Sequence, residues 1–420
     1  MQHVNLPTFW RTATLFALLI GITILFSGCG SYLPVAKYNF AETYEPTALV
    51  RMEHKTLDKG NYVAVDIKFT IKNLPEGTTP AELAQKYNLF AAAFPNYTSK
   101  KAFYTDTIGL NNFKALGNGV YRYQFLMAKP NKLASMVLLL YLDNTMAETS
   151  SYFDIPVNLN AVPENTFWFT NANTSNNLLN NIAKTGQPLL INSDQLNRSL
   201  TVKFYPSSFI AALPPFMSDY VPPRNPHSRI FKLSSGATFT PDSAGLYYFQ
   251  PDSAANGFAL LVRDFDYPKI TRTSELADPL LYITKRDERE KLAKAGQLKP
   301  VIDQFWLEVG GSKENARRVI KNFYEQVEYS NYVFTSFKDG WRTDRGLVFI
   351  IFGKPDRVTR YGNREEWYYK GNANFDKVLF TFVRKPTLFT ADNFELVRDP
   401  VYQDLFYSIV DLWRRGVIQR

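Results

Sequence analysis

The residue pattern changes from helical to strand-like at Gly340-Trp341-Arg342-Thr343-Asp344-Arg345-Gly346-Leu347-Val348-Phe349-Ile350-Ile351-Phe352-Gly353-Lys354-Pro355-Asp356. Upstream of this stretch, apolar residues recur three and four positions apart, which is the period of one helix face. The apolar run 347–352 predicts a strand, as do residues 366–370 and 378–384. The stretch is therefore expected to be the corner where a helical layer meets a sheet.

Four helices are predicted around this sheet. They are expected over 286–297, from Pro300 to the stop at Gly310-Gly311, from the N-cap Ser312 to about residue 334, and from Asp399-Pro400 to Gly416. The third helix carries one apolar stripe, formed by Ala316, Val319, Ile320, Phe323 and Val327. Residues 278–420 are therefore predicted to form an α+β domain of helices plus a three-stranded antiparallel meander.

A strand-rich region, 49–160, lies near the start of the chain. Its strand patterns are either alternating or continuously apolar, and they lie at 63–72, 121–125, 136–141 and 153–159. Alternation with period two is typical of a strand with one wet face. Pro156 predicts that the last strand is an edge strand, because proline cannot donate to a ladder. The region is expected to be an antiparallel β-sandwich.

A second strand-rich region follows at 161–272. Its strand patterns are shorter and lie at 200–204, 245–249 and 258–262. Asparagine-rich and proline-rich pieces between them indicate long loops. The chain is therefore predicted to be multidomain, with two antiparallel β-sandwich-like domains followed by the α+β domain.

The first 28 residues have the features of a secretory signal: one basic side chain, no acid, and an apolar run at 15–26 that is too short to span a membrane. The run ends in Leu25-Phe26-Ser27-Gly28-Cys29, which resembles the lipobox of bacterial lipoproteins. We therefore expect lipidation of Cys29, a lipid-anchored spacer at 29–48, and an outer-membrane location facing the periplasm, since no aspartate follows the cysteine. The alternative is a signal peptide that ends near a buried cysteine.

Composition limits the classes of site and partner. The chain has 33 Phe, 25 Tyr and 6 Trp, which suits strands and sandwich cores. A single cysteine allows no disulfide within the chain, and His54 and His227 lie in different regions, so a histidine metal site is not expected. The net charge of +9 is modest for 420 residues, and an exported protein is not expected to bind nucleic acid. No cofactor is predicted.

The C-terminal third resembles the GWxTD-domain proteins of Gram-negative envelopes. The resemblance covers 278–420 and rests on five pieces in order: Phe305-Trp306, Gly340-Trp341-Arg342-Thr343-Asp344, Gly353-Lys354-Pro355-Asp356, Glu366-Trp367-Tyr368-Tyr369 and Phe380-Thr381-Phe382-Val383-Arg384. It implies a lipoprotein or secreted envelope protein with β-rich regions upstream, and it implies no established catalytic activity. The region is more distantly similar to the small lipoprotein subunit of the outer-membrane barrel-assembly machinery.

The candidate site residues fall into two sets. We interpret the first as structural, with Asp344 expected to cap its own backbone turn; it comprises Gly340, Trp341, Thr343, Asp344, Gly353, Pro355, Asp356 and Trp367. The second contains candidates for binding phosphate or carboxylate groups, although solvated turns explain them equally well; it comprises Arg342, Arg345, Lys354, Arg357, Arg360 and Arg364. No catalytic residue and no metal ligand is assigned, because the region has no histidine, no cysteine and no glycine-rich phosphate loop.

Two functions remain open. The first is a non-enzymatic outer-membrane lipoprotein that acts as a scaffold or assembly factor, bound to the membrane through Cys29 and to an unidentified envelope protein. The second is a glycan-binding or glycan-processing envelope protein that uses the carboxylates and aromatic residues near Trp341. The carboxylates in question are Asp344, Asp356, Glu365 and Glu366.

Overall fold

The computed structural model describes residues 33–195, 197–206, 209–217, 225–251, 256–264, 266–371 and 375–417. The predicted signal at 1–28 and the predicted lipidation site Cys29 lie outside the described residues. Within the described part of the chain, no helix is both long enough and apolar enough to cross a membrane. The chain is multidomain, as predicted, with two β-sandwiches followed by an α+β region.

The first sandwich is formed by two four-stranded antiparallel sheets, with strand orders β1-β2-β6-β5 and β4-β3-β7-β8. Its elements are β1 Val50–Lys59, β2 Tyr62–Ile71, α1 Pro80–Lys86, β3 Tyr87–Phe94, β4 Tyr104–Ile108, β5 Lys114–Gly117, β6 Val120–Ala128, β7 Ser135–Asn144 and β8 Thr149–Asn158. All four predicted strand patterns lie in strands, and β8, which contains Pro156, is an edge strand as predicted. Strand β2 shows why the alternating pattern predicts a strand. Its alternate residues Val63, Val65 and Ile67 all point into the core between the sheets.

The second sandwich packs a five-stranded sheet, β10-β16-β15-β12-β13, against a three-stranded one, β14-β11-β9. Its elements are α2 Pro163–Thr166, β9 Phe167–Asn171, β10 Ile182–Lys184, β11 Leu189–Ser193, β12 Ser199–Tyr205, β13 Arg229–Ser234, β14 Thr238–Phe239, β15 Gly245–Pro251 and β16 Phe258–Arg263. Stacked phenylalanines form the core between the sheets; the rings of Phe167 and Phe258, for example, lie 5.0 Å apart. One pair departs from the antiparallel prediction, because β10 is parallel to β16.

The α+β region contains a helical layer and an antiparallel sheet of order β17-β18-β19-β20. Its elements are α3 Thr273–Ala277, α4 Arg286–Lys294, α5 Leu298–Gly310, α6 Lys313–Phe334, α7 Asp344–Phe352, β17 Arg357–Arg360, β18 Arg364–Tyr369, β19 Val378–Arg384, β20 Phe394–Leu396 and α8 Tyr402–Arg414. The predicted N-cap of the long helix is confirmed, since the Ser312 side chain accepts a hydrogen bond from the Asn315 amide at 3.2 Å. The predicted strand at 378–384 coincides with β19.

The predicted strand at 347–352 is wrong, because these residues form most of helix α7. The helix is buried on every side, so its sequence is apolar all round and shows no helical periodicity. Its N-cap is Thr343, and it ends at Gly353, whose φ of +79° favours glycine. The sheet therefore has four described strands rather than a three-stranded meander, and β17 and β20 were not predicted.

The segment 33–48, most of the predicted spacer, packs onto the α+β region. Val35, Phe40 and Tyr44 are buried in the core of that region. The Phe40 amide donates to the Val358 carbonyl at 3.0 Å, and the Asn39 side chain accepts from the Val358 amide at 2.9 Å. The segment therefore covers the outer edge of β17 and is part of a domain whose strand residue Val358 lies 319 positions after Asn39.

Candidate functional site

The Gly340–Gly346 turn is compact because three small or hydroxyl residues hold it together. The hydroxyl of Thr343 donates to the Gly340 carbonyl at 2.7 Å and accepts from the Gly346 amide at 3.0 Å. A Cβ on Gly340 would lie 1.9 Å from the Ser330 carbonyl oxygen, and one on Gly346 would lie 2.0 Å from the Gly340 carbonyl oxygen. Both glycines are therefore required by close backbone contact rather than by their φ angles.

Trp341 is a buried core residue. Its ring packs edge-on against Tyr282 at 5.9 Å, and the Tyr282 hydroxyl donates to the Trp341 carbonyl at 2.9 Å. The Trp341 amide donates to the Asn331 side chain at 3.2 Å, and the Arg342 guanidinium lies 4.2 Å from the centre of the indole ring. These contacts join the motif to helix α6 and to the short 3₁₀ helix at Asp278–Tyr282.

Asp344 does not cap its own turn, contrary to the interpretation from sequence, because Thr343 fills that role. The Asp344 carboxylate is buried and pairs with Arg398 through two nitrogens, at 2.7 and 3.0 Å. It also accepts the Leu396 amide at 2.6 Å. Since β20 is an edge strand, Asp344 satisfies a backbone donor on the outer side of the sheet.

The second motif, 353–356, closes the hairpin that follows helix α7. The Tyr369 hydroxyl donates to the Gly353 carbonyl at 2.7 Å, and Pro355 is buried beside it. Asp356 accepts the Lys370 amide at 2.9 Å, so it joins the far end of the hairpin rather than capping its own turn.

Trp367 and Glu365 lie at the centre of a cluster that we call the ionic junction, which also contains Tyr44, Arg345 and Arg360. Trp367 is fully buried, and its indole Nε1 donates to Glu365 Oε1 at 2.5 Å. The Tyr44 hydroxyl donates to the same oxygen at 2.6 Å, and burial raises the pKa of Tyr44 well above its ordinary value. Arg360 and Arg345 approach the other oxygen at 3.2 and 3.7 Å. Glu365 is therefore a fully engaged acceptor.

Arg360 connects this junction to the first sandwich. It forms an ion pair with Asp154 on β8, and Asp154 also accepts the Tyr97 hydroxyl at 2.7 Å. Burial works against the charge of Arg360, but the carboxylates of Asp154 and Glu365 raise its pKa above the ordinary value. The charge network therefore connects the two domains. They also share an apolar core, because Phe94 and Leu139 of the first sandwich pack in one cluster with Trp367.

The structure brings only half of the predicted basic cluster together. Arg345, Arg360 and Arg364 line one cavity of about 520 Å³, whereas Arg342, Lys354 and Arg357 do not line it. Five of its members pair with carboxylates of the chain: Arg342 with Asp278 and Asp339, Arg345 with Glu365, Lys354 with Glu45, Arg360 with Asp154 and Glu365, and Arg364 with Glu366. The sixth, Arg357, is exposed and lies 3.5 Å from the Lys37 carbonyl.

A strap from the second sandwich, residues 209–217, lies across the motif. The Ala212 amide donates to the Arg342 carbonyl at 2.9 Å. In return, side chains of the α+β region bind strap carbonyls: Lys338 binds that of Ile210 at 3.1 Å, and Arg398 binds that of Leu213 at 3.3 Å. Strap residues border two cavities, of about 760 and about 1150 Å³, and the smaller one is also bordered by Trp341.

Sequence reasoning missed the partners of the motif. Arg398 and Lys338 were not singled out, because nothing in their neighbourhood indicates which carboxylate or carbonyl they meet. Tyr44 lies in the predicted spacer, although a segment that contains three aromatic residues, Tyr38, Phe40 and Tyr44, suggests burial. In the described residues, no group of three or more His, Cys, Asp or Glu side chains is arranged to hold a metal ion.

Comparison with known proteins finds one protein family for the C-terminal part of the chain. The GWxTD domain model matches residues 245–415, so the match begins at β15, inside the second sandwich, rather than at 278. No curated protein matches the chain at a significant level. The C-terminal part of this chain, including the motif at 340–344, is a GWxTD domain.

Proposed function

We propose that this protein is a non-enzymatic lipoprotein of the outer membrane, anchored through lipidated Cys29 and facing the periplasm. Its role is to hold or assemble another envelope protein. The domains support such a role because the first sandwich and the α+β region share one apolar core, which favours a fixed arrangement of the two. The motif carboxylates Asp344 and Glu365 are engaged by arginines, which supports a structural role for the motif.

The proposal rests on a difference between two sheets: the edge strands of the GWxTD sheet have partners on their outer side, whereas the edge strand β13 of the second sandwich is open in the described part of the chain. Outward backbone groups at both edges of the GWxTD sheet have partners: the segment 33–48 bonds to Val358 of β17, and Asp344 accepts the Leu396 amide of β20. Strand β13 of the second sandwich is an edge strand with six regular pairs to β12 and no strand on its other side among the described residues. Its side chain Ile230 is 57% exposed. An edge of this kind accepts an extended segment of another chain by strand addition.

Backbone amides alternate in direction along β13, and this alternation shows which of them could bond to a partner strand. The Ser235 amide, directly after the strand, donates inward to the Arg198 carbonyl at 2.9 Å. Alternate residues of an antiparallel strand point the same way, so the amides of Leu233 and Phe231 also point inward. Those of Lys232 and Ile230 therefore point outward and are the donors available to an added strand.

The test places a photo-reactive amino acid at position 230 in cells and identifies any cross-linked protein by mass spectrometry. We expect a discrete product that Lys232→Pro abolishes, because proline removes an outward donor without removing a bond to β12. Lys232→Ala is the matched control; it removes the charge, keeps the amide and should retain the product. The same cross-linker at Met146, an exposed turn residue between β7 and β8, should give no product.

The proposal fails if position 230 gives no discrete product. It also fails if Lys232→Pro, with an unchanged circular dichroism spectrum, leaves the product intact.

A further inference from the structure

The larger cavity beside the strap has aromatic walls. It lies between the second sandwich and the GWxTD domain and has a volume of about 1150 Å³. The ring of Phe389 lies 5.1 Å from Tyr205, 5.2 Å from Phe209 and 5.6 Å from Phe337, measured between ring centres. These rings come from both domains, so the cavity is a product of their packing.

The rim of the cavity is also apolar. Met217, Leu388 and Val397 line it, and these residues are 47%, 47% and 49% exposed. Single exposed apolar residues are ordinary on protein surfaces, but a cluster at the mouth of a cavity is typical of a ligand-binding site. The apolar walls and the apolar rim favour a ligand with a hydrocarbon body.

One cation at this cavity lacks a carboxylate partner. The cations around the motif are matched as follows: Arg263 and Arg342 with Asp339, Arg342 also with Asp278, Arg398 with Asp344, and Lys385 with Glu395. Lys338 also lines the cavity, and no carboxylate in the described part of the chain pairs with it. Its ammonium makes a single hydrogen bond, to the Ile210 carbonyl at 3.1 Å, so two of its three N–H groups remain available.

Burial makes this ammonium costly without a counter-charge. Desolvation lowers the pKa of Lys338 below the ordinary lysine value. The neighbouring Arg342 and Arg398 act in the same direction, while Asp344 and Glu395 oppose them without cancelling the shift. A bound anion would offset both effects. Since the local excess is one positive charge, a monoanion balances it better than a doubly charged phosphate group.

We propose that this cavity binds a long-chain fatty acid, with its carboxylate on Lys338 and its hydrocarbon chain against Tyr205, Phe209, Phe337 and Phe389. The site is separate from the edge of β13, so this proposal goes beyond the proposed function and does not depend on it. The cavity volume lies slightly above the usual range of small-molecule pockets and is large enough for an acyl chain. The carboxylate would receive charge-assisted hydrogen bonds from the two available N–H groups of Lys338.

The test is displacement of the fluorescent fatty acid cis-parinaric acid from the purified full chain by palmitate and by 1-hexadecanol. The two competitors share a sixteen-carbon chain, and at neutral pH they differ in charge. We expect saturable binding at one site, with palmitate bound about tenfold or more tightly than hexadecanol, because a hydrogen bond to a charged group is worth at least that factor. Palmitate affinity should fall as the pH rises through the pKa of Lys338, whereas hexadecanol affinity should stay constant.

Two variants test whether the ammonium of Lys338 is the group that binds the carboxylate of palmitate. Lys338→Met keeps the aliphatic stem and should weaken palmitate binding about tenfold while changing hexadecanol binding by less than about twofold. Lys385→Met removes another cation that lines the same cavity but is paired and largely exposed, and it should leave both affinities within about twofold.

Absence of saturable binding would overturn the proposal. So would equal affinity of the parent protein for palmitate and hexadecanol, which requires no variant to fold. Equal weakening of both competitors by Lys338→Met would show that the lysine shapes the cavity rather than binding the carboxylate, and would also overturn it.

Discussion

Replacement of Asp344 by asparagine should strongly destabilise the GWxTD domain. If Asp344 only capped a turn, asparagine would be tolerated to within ~1 kcal/mol, because it also caps well. In the structure, however, the carboxylate pairs with Arg398, and the two side chains are only 8% and 17% exposed. Asparagine leaves the arginine as an uncompensated buried charge.

The magnitude follows from these contacts. Removing one partner of a buried ion pair costs about 3–5 kcal/mol of unfolding free energy. Asparagine can still accept the Leu396 amide through its side-chain oxygen, whereas Asp344→Ala also loses that hydrogen bond, which adds roughly 1–3 kcal/mol. The double variant Asp344→Asn with Arg398→Met buries no charge at this site and should recover at least half of the loss.

Urea unfolding followed by tryptophan fluorescence measures the effect, because Trp306, Trp341, Trp367 and Trp413 all lie in the GWxTD domain. Glu366→Gln is the matched control: its pair with Arg364 is partly exposed, so its loss should cost less than ~1 kcal/mol. An Asp344→Asn protein as stable as that control would refute the buried-pair argument. A double variant less stable than Asp344→Asn would show that Arg398 contributes mainly through its other contacts.

Four more variants test other parts of the structure. Trp341→Ala removes a buried indole and should cost ~3–5 kcal/mol in the same urea experiment. Tyr44→Phe removes a donor to the buried carboxylate of Glu365 and should cost ~1–3 kcal/mol, whereas a free spacer would show no change. Partial burial raises the pKa of Glu45, but hydrogen bonds from a lysine and a threonine outweigh this and lower it to about 2. The Glu45 carboxylate therefore stabilises the fold above the unfolded value of 4.5, and this contribution is lost as the pH falls through 2, so Glu45→Gln should lose less stability than the parent between these pH values. Cys29→Ser should abolish incorporation of labelled fatty acid, and unchanged labelling would contradict the lipoprotein proposal.

Elements with one buried face were predictable from the chain alone. The alternation at 63–72 and the apolar stripe of α6 both indicate which side of an element faces the core, and both elements and their core faces are confirmed. The other face of β2 is not wet as predicted, because Ala64 and Asp66 are also buried. The cap at Ser312 was also predictable, because a cap acts within one turn of its own residue. The GWxTD motif identified the domain for a related reason: Gly340, Thr343 and Gly346 contact one another within a few residues.

Long-range packing accounts for what the sequence missed. Helix α7 looked like a strand because burial on every side erases periodicity, and such a run fits a strand or a helix equally well. The roles of Asp344 and Arg398 depend on an approach between residues 54 positions apart, and those of Tyr44 and Glu365 on one between residues 321 positions apart. A residue's local pattern reports its own burial, but the partner that compensates a buried charge is determined by how distant segments meet in the folded chain.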